Sequence, residues 1–305
     1  MSDNRLPLTV LGGWLGAGKT TWLRHHLRAG SGAGSGAHVI VNEAAGVAVD
    51  DALLPCAGGL TVLAGGCACC EGRGDLVAAL RALADRRSGG AAFSAVILET
   101  SGLADPAAIT AILTEDPVLA RHFRLRDTLV LVDAVNGAAE LAAGTLAIRQ
   151  IRAANGLILT KTDAAPALTT ARLVATLAAL NPLATLSAAV AGVAVALPRD
   201  AGEPLPLATG TRSVTAAILP LPPGADWAAL SLWLSALLHV HGDRLIRIKG
   251  VIRTPAGRLL IQTVRRTVQP PEILPDGLGA DDVLAVIGEA PDAGGLRASL
   301  LRFLG

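Results

Sequence analysis

The segment Gly13-Trp14-Leu15-Gly16-Ala17-Gly18-Lys19-Thr20 constrains this chain more than any other stretch of it. It has the G-x-x-x-x-G-K-[ST] spacing of a phosphate-binding loop, follows the strand-length apolar run Leu8–Leu11 and opens a helical stretch. Gly13, Gly16 and Gly18, with the small Ala17 between them, let successive backbone N–H groups turn inward around phosphate oxygens. The N-terminus of the following helix adds its partial positive charge. Lys19 is spaced to reach the β and γ oxygens, and Thr20 to ligate Mg²⁺. A glycine-rich loop that binds nothing is the competing reading, and the strand-loop-helix context argues against it.

Apolar runs of strand length alternate with helical stretches through the first two hundred residues or so, which predicts a mostly parallel sheet covered on both faces. Strands are expected at Leu8–Leu11, His38–Val41, Ala95–Leu98, Thr128–Val132 and Gly156–Leu159, with a sixth inside Ala188–Val195. Gly30–Ala37 reads as a flexible surface loop by composition. At Pro198–Arg212 proline, glycine and charge replace the apolar runs, so a P-loop domain is expected over 1–200 and a linker over 201–212. Residues 213–305 predict a smaller α+β domain, ferredoxin-like in the order of its elements. Its strands are expected at Ser213–Leu219, Arg244–Ile252, Arg258–Val264 and Val283–Ile287, and its helices at Trp227–His239 and Gly295–Phe303. A chain of 305 residues that is 51% hydrophobic can bury a core in each domain.

A P-loop alone does not choose a base. Thr160-Lys161-Thr162-Asp163 directly follows the strand Gly156–Leu159, where a GTPase places a lysine over the purine ring and an aspartate that accepts from the guanine imino and amino groups. Adenine offers no such donor pair, so the carboxylate favours guanine. Between the two motifs, Glu99-Thr100-Ser101-Gly102-Leu103-Ala104-Asp105-Pro106 leaves the C-terminal end of a strand. Glu99 can hold a water of the Mg²⁺ shell or orient the attacking water, and the Gly102 N–H can bond the γ-phosphate. A turn capped by serine and glycine is the alternative. Asp133, at another strand end, suits either the site or the capping of a helix.

Cys67, Cys69 and Cys70 crowd into four positions, close enough to converge as thiolates on one soft ion such as Zn²⁺. A reactive redox loop is the other chemistry three such thiols support. Cys56 stands apart and reads as a packed thiol, and four cysteines are too few for a disulfide framework. The 26 basic and 25 acidic residues leave a formal charge of +1, which provides no field for nucleic acid or an anionic membrane. The first ten residues lack a secretory pattern, which points to the cytoplasm. The apolar run Leu173–Leu197 is cut by Asn181-Pro182 into pieces short of the roughly 20 residues a bilayer span needs. A buried helix followed by a buried strand is expected there.

In their order, these segments resemble the CobW-like GTPases over most of the chain: GGWLGAGKTTWL, GGCACCEGRGDL, ILETSGLADP, LVLVDAVN, the helix beginning near Gln150, TKTD, Asn181-Pro182 and RIKGVI. The resemblance implies a GTPase of the SIMIBI class, able to dimerise, that couples GTP and GDP states to delivery of Zn²⁺ or Co²⁺ to a metal-requiring client protein. It implies phosphate and Mg²⁺ binding by Lys19, Thr20 and Thr21, and γ-phosphate sensing and hydrolysis by Lys19, Glu99 and Gly102. It also implies guanine reading by Lys161 and Asp163 and metal binding by Cys67, Cys69 and Cys70.

The chain departs from that family's pattern in three places. The family's Asn-Glu-Phe-Gly-Glu segment becomes Asn42-Glu43-Ala44-Ala45-Gly46 and runs on to Asp50, without the aromatic and the second acid. Thr160 replaces an asparagine, and no His-rich tract lies between the domains. A nucleotide-dependent regulatory protein of the same fold with weak metal handling is therefore the alternative function.

Overall fold

The computed structural model describes residues 4–29, 36–43, 58–64, 72–198, 202–206, 214–222, 224–242, 244–264, 266–268, 271–274, 282–289 and 292–304. The described residues form two compact units, one within Met1–Ala178 and Ala184–Leu207, the other within Ala179–Leu183 and Ala208–Gly305. Cys67, Cys69, Cys70, Cys56 and the stretch 44–50 lie outside the described residues.

Along the first part of the chain run β1 (Leu6–Gly12), α1 (Lys19–Arg28), β2 (Ala37–Glu43), β3 (Leu60–Ala64), α2 (Arg73–Ser88), β4 (Ala95–Glu99), α3 (Pro106–Glu115) and α4 (Pro117–His122). Next come β5 (Phe123–Asp133), α5 (Gly137–Ala143), α6 (Thr145–Ala153), β6 (Gly156–Thr160), α7 (Ala167–Leu180), β7 (Thr185–Val190) and β8 (Val193–Val195). The strands form one sheet in the order β3-β2-β4-β1-β5-β6-β7-β8, parallel throughout except for the β7–β8 hairpin. Every residue of β4 and β6 is buried, as expected of central strands covered on both faces. Leu8, Val10, Val96 and Leu98 from the sheet pack with Leu76 and Leu80 of α2 and Ile109 and Ile112 of α3 in one apolar cluster.

Register sets where the site lies. Leu11 pairs with Glu99, Gly12 with Val130, and Asp133 with Thr160, so β1, β4, β5 and β6 end at one edge of the sheet. The P-loop, the Glu99 loop and the Lys161 turn all leave from that edge, which is where ligands bind in open α/β sheets.

The five expected strands are present, each extended by one to six residues. β3 joins them beyond β2, and the expected sixth strand resolves into two, β7 and β8, joined at Ala191-Gly192. The Leu173–Leu197 run contains the end of α7 and this hairpin, and among the described residues no helix is long and apolar enough to cross a membrane.

The second unit contains β9 (Val214–Pro220), α8 (Trp227–His241), β10 (Leu245–Thr254), β11 (Gly257–Val264), β12 (Thr267–Val268), β13 (Glu272–Leu274), β14 (Val283–Glu289) and α9 (Ala293–Leu304). Its sheet has the order β12-β11-β10-β14-β9, with β13 pairing on β11 and all neighbours antiparallel. β14 therefore separates β9 from β10, the two strands that α8 connects. Trp233 and Leu230 of α8 pack on Ile248, Leu284 and Val286, with Leu300 of α9 in the same cluster. The Trp233 indole donates to the Ser299 hydroxyl at 3.1 Å, so its polar end is matched inside the core.

Candidate functional site

The P-loop closes because its glycines adopt backbone conformations that side chains resist. Gly13, Gly16 and Gly18 have φ of 127°, 76° and 86°. A Cβ on Gly13 would collide with the Leu131 carbonyl of β5, whereas the space around Gly16 is open. Gly18 caps α1 without a side-chain hydrogen bond, and the first turn carries no acid, so the helix N-terminus faces the cradle without a competing carboxylate. Lys19 is buried, and its ammonium donates to the carbonyls of Gly13 at 2.8 Å and Trp14 at 3.0 Å. Thr20 donates its hydroxyl to Glu99 Oε1 at 2.6 Å, which brings the expected Mg²⁺ ligand, in the first turn of α1, together with the expected acid at the end of β4. Thr21 is exposed beside them.

The loop after β4 is tied on both sides. The Thr100 N–H and hydroxyl both donate to the Leu11 carbonyl, at 2.9 and 3.2 Å. Gly102 sits so close to the P-loop that an added Cβ would lie 2.5 Å from the Leu15 nitrogen. From the other side, Gln150 of α6 donates its amide to the carbonyls of Ala104 at 2.8 Å and Gly102 at 3.2 Å. Asp105 ends the loop as the cap of α3, accepting from the Ala107 N–H at 3.0 Å.

The Thr160–Asp163 turn, expected from the sequence to read the base, is joined to the cradle. The Thr160 hydroxyl donates to the Ala17 carbonyl at 2.8 Å, so the substituted residue links the end of β6 to the P-loop. Lys161 has a left-handed backbone, φ 56°, and its ammonium lies 2.7 Å from Asp133 Oδ2. Asp163 is exposed in the same turn. Asp133 is buried, and its carboxylate also accepts from the Val135 N–H, the Asn136 N–H and the Asn136 amide. Burial pushes its carboxyl pKa up, but the Lys161 ammonium, the Asn136 amide and the two backbone N–H groups outweigh that and hold it below the usual carboxylate value. Asp133 thus ties the turn after β5 and holds Lys161, but it does not cap a helix: α5 starts at Gly137, with Asn136 at its N-cap position and no side-chain capping bond.

These residues suit a nucleoside triphosphate with Mg²⁺. The cradle has an open mouth at Gly16, and a hydroxyl–carboxylate pair stands ready at its rim. The Ser101 hydroxyl and the Trp14 indole N–H, both buried next to the cradle, have no hydrogen-bond partner among the described residues. For a transition metal, no group of three or more His, Cys, Asp or Glu gathers among the described residues, and the three clustered cysteines lie outside them.

The helix expected to begin near Gln150 begins instead at Thr145, so Gln150 is the sixth of the nine residues of α6, and its grip on the loop was missed. An uncharged amide inside the apolar stripe of TLAIRQIRA was the available signal.

A cradle of this form, linked to the Thr160–Asp163 turn on the same sheet edge, defines the class: a P-loop nucleotide-binding protein. Within that class the chain belongs to the CobW family. Residues 7–188 match the nucleotide-binding domain described as CobW/HypB/UreG, and residues 218–304 match the cobalamin synthesis protein cobW C-terminal domain. The chain is 31% identical to the zinc chaperone YjiA of Escherichia coli over 86% of its own length and 87% of that protein. It is 29% identical to a zinc-regulated GTPase metalloprotein activator of Schizosaccharomyces pombe, over 52% of this chain and 39% of that one. Among solved structures, Zn(II)-bound YjiA GTPase from E. coli superposes with a TM-score of 0.63 at 25% identity, covering 98% of this chain and 99% of that one.

Proposed function

We propose that this protein is a GTP-hydrolysing metallochaperone that couples its nucleotide state to the binding and delivery of a transition metal, zinc or cobalt, to a client protein. The hydrogen bond from Thr160 to Ala17 carries the nucleotide part of this reading. It joins the guanine-reading turn to the phosphate cradle, so one GTP molecule can engage both. The metal cargo follows from the relatives named zinc chaperones and from Cys67, Cys69 and Cys70 in the sequence.

In this reading Gly13, Gly16, Ala17 and Gly18 present backbone N–H groups to the phosphates, and Lys19 leaves the Gly13 and Trp14 carbonyls to neutralise β and γ oxygens. Thr20 and Glu99 would hold Mg²⁺, directly and through a water of its shell, and that ion would offset charge on the β and γ phosphates when bound. Thr21 contacts the phosphates next along α1. The attacking water adds to the γ-phosphorus as the bond to the bridging oxygen breaks, with Gly102 donating its N–H to the transferred group. Lys161 packs on guanine, and Asp163 accepts from its imino and amino groups. Residues 201–212 serve as the linker to the C-terminal domain, and a second copy of the chain is a further candidate partner.

Titration calorimetry with GTP, ATP and Zn²⁺ tests the reading. GTP is expected to bind at least tenfold more tightly than ATP, a gap of about 1.4 kcal/mol that a charged pair to the guanine edge can supply. Lys19→Ala should abolish nucleotide binding with an unchanged far-UV circular dichroism spectrum. Equal GTP and ATP affinity removes the GTPase reading. Retained GTP binding without zinc binding leaves the nucleotide-dependent regulatory protein instead.

A further inference from the structure

We propose that Gln150 is a positioning residue for γ-phosphate recognition: from α6, its side-chain amide holds the Thr100–Asp105 loop where Gly102 meets the third phosphate. This rests on the GTPase reading above and adds to it the element that registers the nucleotide's state.

The geometry leaves little choice in how the amide is oriented. Both groups facing Nε2 are backbone carbonyls, Ala104 at 2.8 Å and Gly102 at 3.2 Å, and only the NH₂ end of an amide can donate to them. Gln150 is fully buried, and its Oε1 accepts no hydrogen bond from the described residues. A buried acceptor without a partner is costly, so an apolar residue of the same size would suit the packing of α6 better. The amide is therefore poorly explained by packing, and well explained by the two carbonyls it restrains.

What it restrains is the segment nearest the γ-phosphate. Gly102 has its carbonyl bound to Gln150, while its α-carbon is pressed against the Trp14–Leu15 peptide of the P-loop. The Gly102 N–H therefore cannot shift toward or away from a phosphate without stretching the bond to α6. Arg149, the neighbouring residue on that helix, lies 3.5 Å from Asp105 and holds the far end of the same loop. Two consecutive side chains of α6 thus span the loop, and α6 also packs on α3, the helix that Asp105 caps. A displacement of Gly102 by the third phosphate passes to α6 through these contacts. GDP, which lacks that phosphate, makes no such demand.

The full-length Gln150→Met variant tests the idea, since methionine conserves volume and cannot donate. Amide hydrogen exchange without nucleotide should be about tenfold faster in peptides covering Thr100–Asp105, with the P-loop and α1 unchanged. GDP affinity should stay within about twofold of the unmodified protein. Affinity for a non-hydrolysable GTP analogue, and kcat for GTP, should each fall about tenfold. A purely structural role would weaken GDP and the analogue equally, and that result overturns the proposal, as does unaltered exchange in the loop. If the methionine variant does not fold, Gln150→Asn is used; it keeps the amide but cannot span both carbonyls, and the same outcomes decide. Should the unmodified protein hydrolyse no GTP, the functional reading fails on its own, and the exchange measurement still determines whether Gln150 holds the loop.

Discussion

Lys161 is held by Asp133: the ammonium lies 2.7 Å from a carboxylate that is itself 1% exposed and accepts three further hydrogen bonds. The lysine expected to cover the guanine ring is therefore anchored at one end of its reach, on a strand that also borders the P-loop.

Asp133→Asn should keep the bonds that the Val135 and Asn136 backbone N–H groups make to Oδ1 while losing both bonds at Oδ2, from Lys161 and from the Asn136 amide. GTP affinity is expected to fall about fivefold, near 1 kcal/mol, with ATP affinity changed much less, because only the base-reading end loosens. The sign of the pH effect follows from the depressed carboxyl. Its stabilising contribution is present above the ordinary aspartate pKa and is lost as pH falls below it, through the lower folded value. Fluorescent-nucleotide titrations of both proteins check the first point; a variant whose GTP-to-ATP ratio matches the parent's removes the anchoring role.

Thr160→Val removes the hydroxyl that reaches Ala17 and keeps the shape of the side chain. It leaves the Ala17 carbonyl without that donor inside the cradle, so we expect about a tenfold loss in GTP affinity and a few degrees in melting temperature. Thr160→Asn, which restores the residue usual in the family, should bind GTP within about twofold of the parent. A valine variant with parental affinity would mean that the two motifs bind independently.

Much of this site was legible because each motif combines a residue spacing with a strand end. Gly13 to Thr20 follows β1, Glu99 ends β4 and Lys161 follows β6, and apolar runs of four or five residues marked those strands. What stayed hidden was chemistry between distant residues. The Thr160–Ala17 bond spans 143 positions and the Gln150–Gly102 bond 48, and no local pattern encodes either. The β7–β8 hairpin escaped for another reason. Its turn places Ala191 and Gly192 at φ of 50° and 89°, and alanine is not a residue that advertises a left-handed turn. β3, as long as β4 and β6, did not stand out because glycines flank it closely on both sides, and it is set by pairing along β2.

His38 is expected to make the first unit sensitive to mild acid. Its ring is buried between β2 and β3, bonded through Nε2 to the Thr61 hydroxyl at 2.8 Å. Burial, reinforced by the Arg86 guanidinium, lowers its pKa to about 4. A histidine with a depressed folded pKa favours the folded state fully above its ordinary value of about 6.5, and that contribution drains away as pH falls from there toward 4. The total at stake is on the order of 3 kcal/mol. Urea denaturation near pH 7 and pH 4.5 should show a large drop for the parent and a smaller one for His38→Gln. Equal drops would place the acid sensitivity elsewhere.

The metal cargo should respond to the nucleotide. Cys67, Cys69 and Cys70 lie in sequence between β3 and α2, in a connection that leaves the same sheet edge as the P-loop. Three thiolates leave one tetrahedral position for a water, a carboxylate such as Glu43 or a client side chain, and an exchangeable position is what separates a delivery site from a closed structural zinc. We expect one Zn²⁺ per chain, lost when all three cysteines are replaced by serine, with GTP affinity in the absence of zinc unchanged. Linkage then requires reciprocity: whatever factor GTP imposes on zinc affinity, zinc must impose on GTP affinity. Chelator competition with GDP, with a non-hydrolysable GTP analogue and without nucleotide measures the first factor, and nucleotide titration with and without zinc measures the second. Zinc affinity that survives the triple serine change misplaces the metal. Affinity identical in every nucleotide state leaves a GTPase that carries zinc without controlling its release.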